Sequence, residues 1–186
     1  MSRPVRYRID PGASRLTARA FAGGPLSAMG HNPSFAVPGL QGEVEFDPES
    51  PAASTLRLTV AARSLTLTDS ASDKDRGEIE RATRDEVLES DRFAEIVYQC
   101  PSSKVTSSGP AQLSLAGDLT LRGVTRMQPV SARVYLTGEV LRGNGEAIVR
   151  QSEFGIRPVT VAGGMLKVKD EVKVTFDIVA RRDGAG

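Results

Sequence analysis

The chain carries a single histidine, His31, set in Gly30-His31-Asn32-Pro33. Imidazole chemistry of any kind, as general base or as part of a Ser-His-Asp triad, would have to pass through that one ring. Its neighbours offer no oxyanion-hole signature, and no G-x-S-x-G elbow, P-loop or G-x-G-x-x-G turn occurs in the chain. A zinc site needs several His, Cys or carboxylate ligands at compatible spacing, and no such set is visible. His31 reads as a hydrogen-bonded turn residue, or as a contact to a ligand headgroup near an opening. The run Arg81, Arg84, Asp85 is of mixed sign, which on a helix makes a solvated face. In a functional role, Arg84 would grip an anionic headgroup through bidentate hydrogen bonds. Cys100 closes the alternating set Ile96, Tyr98, Cys100 and reads as a buried small apolar residue. The expectation is a protein that binds rather than catalyses, with no metal or cofactor. The rival enzymatic reading, action on a lipophilic substrate, makes His31 the base.

The elements that must position these residues are strands. Between residues 113 and 121 every odd position is Leu or Gly, against Ser114, Ala116, Asp118 and Thr120. Such alternation marks a half-buried strand. Leu56, Leu58, Val60 and Ala62 repeat it, as do Val130, Ala132, Val134, Leu136 and Val140, and Val172, Val174, Phe176 and Ile178. Shorter strands are expected at 5–9, 15–21, 41–46, 95–105 and 147–156. Asp10-Pro11-Gly12, Asp47-Pro48 and Ser108-Gly109-Pro110 supply turns, and Gly143-Asn144-Gly145 reads as a hairpin loop. Short loops between successive strands imply antiparallel pairing. Residues 72–89 break the pattern. They are dense in charge, with Ile79, Ala82, Glu86 and Val87 at helical spacing, an imperfect capping box from Ser72 to Asp75, and Gly77 weakening the interior.

Composition narrows the partners. The 186 residues include 24 Lys+Arg against 23 Asp+Glu, a balance that argues against nucleic acid and against a polybasic membrane patch. One cysteine forms no internal disulfide. No apolar run is long enough to span a bilayer as a helix, and strand alternation begins almost at the N-terminus, so a cytoplasmic location is expected. No linker or repeat divides the chain, which reads as one domain over 1–186. Alternation alone leaves a choice between a packed two-layer sandwich and a closed barrel. A wall of Leu, Val and Ala with no tryptophan favours a lumen; a packed core would instead make the chain a structural or stress-related interaction module.

Several blocks, in order, resemble the YceI-like family of bacterial lipid-binding proteins. They are Tyr7-Arg-Ile-Asp10 with Ser14, Gly30-His31 with Phe35 and Gly42-Glu-Val-Glu-Phe-Asp47, and Arg84-Asp85 leading to Leu88 and Ser90-Asp91-Arg-Phe93. Gly117-Asp118-Leu119-Thr120-Leu121-Arg-Gly123-Val124-Thr125 is the most specific, followed by Arg150-Gln-Ser152-Glu-Phe154-Gly155-Ile156. The family's helical block usually carries a histidine soon after the Arg-Asp pair; Glu86-Val87 stands there here. The resemblance implies an all-β, antiparallel lipocalin-like barrel with a short helical excursion. It also implies a bound isoprenoid or quinone-like lipid and, in many members, a homodimer. Combined with strand parity, it makes Phe35, Val44, Phe46, Leu58, Leu115, Leu119, Val134, Leu136, Phe154, Val174 and Phe176 the expected lumen contacts. His31 and Arg84 are the expected mouth contacts. The function expected is that of a carrier or sequestering protein for a long-chain apolar ligand.

Overall fold

The computed structural model describes residues 3–24, 32–109, 111–161 and 166–184, and His31 lies outside them. The first half of the chain forms β1 (Val5–Ile9), β2 (Arg15–Arg19), β3 (Ala22–Gly23), β4 (Ser34–Ala36), β5 (Leu40–Phe46), β6 (Thr55–Ala61) and β7 (Thr66–Leu67). After the helix α1 (Asp73–Ala82) come β8 (Glu95–Cys100), β9 (Val105–Gly109), β10 (Gln112–Leu121) and β11 (Val124–Thr137). The chain ends with β12 (Val140–Arg150), β13 (Thr160–Val161), β14 (Leu166–Val168) and β15 (Glu171–Arg182).

Eight strands close an antiparallel barrel in the order β1-β5-β6-β8-β10-β11-β12-β15, sealed by β15 pairing back onto β1. Closure removes the free edges that an open sheet of this size would expose. Near the seal, β1 and β2 both pair with β15, one after the other along its length. The Asp10-Pro11-Gly12 turn bulges out between them. The Ser14 hydroxyl repairs the ladder there, accepting from the Val179 N–H at 2.9 Å and donating to the Val179 carbonyl at 3.2 Å. From β2 the sheet continues through β4 to β7, while β13, β14 and β3 form a small separate sheet.

Three expected elements fall differently. The strand expected at 95–105 is cut at Pro101, which has no N–H for a ladder, and a 3₁₀ turn at Ser102–Lys104 starts β9 instead. That expected at 147–156 ends at Arg150 in the 3₁₀ turn Gln151–Phe154. Gly143-Asn144-Gly145 is not a loop but lies within β12, paired with Val134, Arg133 and Ala132 of β11. The hairpin loop is Gly138-Glu139, between the paired Thr137 and Val140. Both glycines sit on the inward face of β12. A Cβ on Gly145 would lie 2.9 Å from Phe176 Cζ, so the missing side chain is what lets the ring of its cross-strand partner lie flat on β12.

The helical excursion forms where expected, as α1 followed by a wide π turn at Thr83–Val87. Ser72 caps α1, accepting from the Asp75 N–H at 3.1 Å and donating its hydroxyl to the Asp75 carboxylate at 2.7 Å. The helix also finishes the sheet edge. Glu80 accepts the Leu67 N–H at 2.9 Å, and Arg76 donates to the carbonyls of Leu67 and, at 2.9 Å, Asp69. The unpaired side of β7 is thus satisfied by helical side chains rather than by another strand.

Candidate functional site: an apolar cavity inside the barrel

Strand parity decides which side chains face the axis. In β10 the odd residues from Leu113 to Leu121 are all buried while Ser114 is exposed, so the alternation in the chain is an alternation of inside and outside. Every ring strand except β1 contributes to the wall of one cavity of about 500 Å³. That volume lies within the range of pockets that enclose small organic ligands, roughly 300–1,000 Å³. Of the residues expected at the lumen, Phe35, Val44, Phe46, Leu58, Leu115, Leu119, Val134, Val174 and Phe176 lie on this wall.

Leu136 and Phe154 do not. Leu136 has the inward parity of Val134, but β10 begins at Gln112 opposite Arg133, so no strand flanks Leu136 on that side and it is 37% exposed. Phe154 is 1% exposed, buried in the 3₁₀ turn rather than facing the cavity. Arg84 is likewise absent from the wall; it lies on the π turn, where its carbonyl accepts the Ser90 N–H at 2.8 Å. The neighbouring apolar residues of that segment, Ile79, Ala82, Val87 and Leu88, roof the cavity instead.

The most specific sequence block holds this roof in place. Arg122-Gly123 is the two-residue loop between Leu121 and Val124, and both residues have positive φ, 52° and 72°. That geometry is the one a tight hairpin of right-handed twist requires. It aims Arg122 across at Glu89, itself at φ 46°, with Nε 2.9 Å from Oε2, and Arg122 also donates to the Gly155 carbonyl at 3.1 Å. The hydrogen bond from Arg122 holds the Glu89 carboxyl below its ordinary range. One guanidinium thereby ties the segment just after the π turn, the β10–β11 loop and the turn after β12 together at the helical end.

Polar groups in the wall are few, and sequence reading missed them. Tyr98 of β8 reaches over Gly117 of β10, whose absent Cβ would lie 2.6 Å from the hydroxyl. The hydroxyl accepts from the Gly117 N–H and donates to the Gln128 carbonyl, each at 3.1 Å. Burial pushes the phenol pKa upward, keeping it neutral. Gln128 and Gln151 are buried on the inward face; Gln151 donates to the Lys169 carbonyl at 2.9 Å. Ser54, at the end opposite the helix, has a buried hydroxyl without a hydrogen-bond partner among the described residues. The signal available for Gln128 was a polar residue in register with Val130 and Ala132.

A closed antiparallel barrel with an apolar interior and a helical roof is the class this geometry defines. The chain belongs to the family of proteins with a YceI-like domain, which matches residues 7–180. Among solved structures it is similar to Burkholderia cenocepacia BcnA, at 18% identity and TM-score 0.73, covering 92% of this chain and 98% of that one. It is also similar to a polyisoprenoid binding domain from Saccharophagus degradans implicated in plant cell wall breakdown (14%, TM-score 0.68, 96% and 99% covered). A third is the Campylobacter jejuni YCEI protein (14%, TM-score 0.62, 77% and 81%). No curated protein matches the chain.

Proposed function

We propose that this protein binds one long-chain apolar ligand, an isoprenoid or quinone-like lipid, inside the barrel and acts as its carrier or sequestering protein. The observation that carries the reading is the cavity itself, walled by aliphatic and aromatic side chains and roofed by an apolar helix face. Burial of one isoprene unit is worth roughly 3–4 kcal/mol gross, at about 0.8 kcal/mol per CH₂-sized group. Association costs about 4–15 kcal/mol, so a few units suffice for useful affinity. Affinity then comes from chain length and shape, while the unpartnered Ser54 hydroxyl orients whatever polar group the ligand carries. Membership of a family whose neighbours include a polyisoprenoid-binding domain supports a binding role over a catalytic one. Two copies per assembly would be compatible with this reading and are not needed for it.

Mass spectrometry of an organic extract of the purified protein tests it. A near-stoichiometric long-chain lipid is expected, and it should disappear in a folded Phe176→Asp variant, whose charge would face the apolar interior. A ligand-free wild type that also ignores added polyprenyl lipids would favour the interaction-module reading instead.

A further inference from the structure

The β11–β12 seam of the barrel wall is sewn along only part of its length. β11 and β12 pair from Thr137↔Val140 to Ser131↔Glu146 and then stop, although both strands continue, β11 back to Val124 and β12 on to Arg150. Continuing the register would set Pro129 opposite Ile148. In β11 the N–H of Val134 points to the β10 side, donating to Ala111 at 2.8 Å, so alternate residues including position 129 aim their N–H at β12. Proline has no N–H to send. The ladder fails at the residue where its donor is missing.

The vacancy is filled by a side chain. Gln128 Nε2 donates to the Pro129 carbonyl at 3.1 Å and to the Ile148 carbonyl at 3.0 Å, bridging the two strands with an amide instead of backbone pairing. On the outer surface, a cleft lies over this seam, lined by Pro129, Ser131, Glu146 and Ile148. Leu115, Val130 and Ala147 line both that cleft and the internal cavity, so one layer of side chains separates the two. The rim is mixed: Lys104, Thr106, Ser114 and Glu146 line it together with Ile148, which is 46% exposed.

We infer that the β11–β12 seam is a lateral portal through which the apolar chain of the cavity's ligand threads into and out of the barrel, with Gln128 as its latch. The inference rests on the binding role proposed above. Opening costs the one side-chain hydrogen bond that crosses the seam, from Gln128 to the Ile148 carbonyl, rather than a run of ladder bonds, and behind it stands only the shared layer of Leu115, Val130 and Ala147. An apolar chain leaving sideways meets the exposed Ile148 before it meets water.

The test is a Pro129→Cys/Ile148→Cys variant, compared with itself oxidised and reduced, with uptake of fluorophore-tagged geranylgeraniol followed by stopped flow. Cys100 is 1% exposed and stays out of the exchange. The disulfide should slow uptake about ten-fold, restored by reductant, whereas a Tyr135→Cys/Arg142→Cys bridge on an intact rung away from the cleft should leave the rate unchanged. Equal rates in the oxidised and reduced seam variant would overturn the portal while leaving the binding role standing. A wild type that takes up no tagged isoprenoid would remove the binding role and the portal with it. Should the cysteine pair not fold, Gln128→Ala serves: ligand release should accelerate about three-fold or more, and an unchanged release rate would overturn the inference.

Discussion

On one side of β12 the ladder to β15 runs unbroken from Val140↔Arg181 to Arg150↔Glu171. On the other, the ladder to β11 stops at Ser131↔Glu146. The same strand thus has a sewn edge and an open one. Exposed ion pairs lie across the sewn edge, Arg142 with Asp177 at 3.1 Å, Lys173 with Glu146 at 2.7 Å and Arg150 with Glu171 at 3.5 Å. Pairs of that exposure contribute little each, about 0.2–1 kcal/mol, so the strength of the sewn edge lies in its backbone bonds and in the interior side chains beneath it. The open edge begins where Pro129 has no N–H to send to β12.

Three substitutions break or sharpen that contrast. Gly145→Val would have the largest effect, because its side chain must displace Phe176 and crowd the Ser131 carbonyl, disturbing both edges at once. Denaturant unfolding should show a loss of about 3 kcal/mol, at the upper end for overpacking. Pro129→Val should make the open edge resemble the sewn one. The N–H gained at position 129 should become protected from hydrogen exchange, and stability should rise by about 1 kcal/mol, one ladder bond less the extra freedom of the unfolded chain. A new amide that exchanges as fast as one in a loop would mean that β12 is out of reach.

The smallest effect concerns the turn that finishes the sewn edge. Asp170 accepts from the Ser152 hydroxyl and N–H, both at 2.7 Å, and these bonds hold its carboxyl below the ordinary value of 3.8. A depressed folded pKa stabilises the protein above the unfolded pKa and is lost as pH falls through the folded one. Wild type should therefore melt higher than Asp170→Asn near neutrality, with the gap closing as pH drops below about 4. A gap that did not change with pH would assign the effect to packing of the turn alone.

How much of this was legible follows from what each residue depends on. Alternation in 113–121 identified the inward face of β10 because the period of a strand is local. Ser72, Ile79 and Ala82 announced the helix for the same reason. Gly143 and Gly145 misled, since glycine punctuates turns more often than it makes room for a ring on a neighbouring strand. Leu136 misled because parity says which way a side chain points but not where the flanking strand begins. Tyr98 and Gln128 owe their places to groups far along the chain: Tyr98 reaches Gly117 and the Gln128 carbonyl, and Gln128 reaches Ile148. No local period encodes a contact of that kind.

The ring closes where Tyr7 meets Arg182, joining the first strand to the last. During synthesis, then, every strand up to β12 can be extruded and paired while the sheet remains open, with its edges available to any neighbour. Contacts between residues so distant in the chain form slowly. The interior becomes a compartment only once β15 has emerged and paired with β1, so nothing can be enclosed before that. Enclosure is a property of the closed ring, and the vulnerable interval for edge-to-edge aggregation is the time between β12 and the arrival of β15.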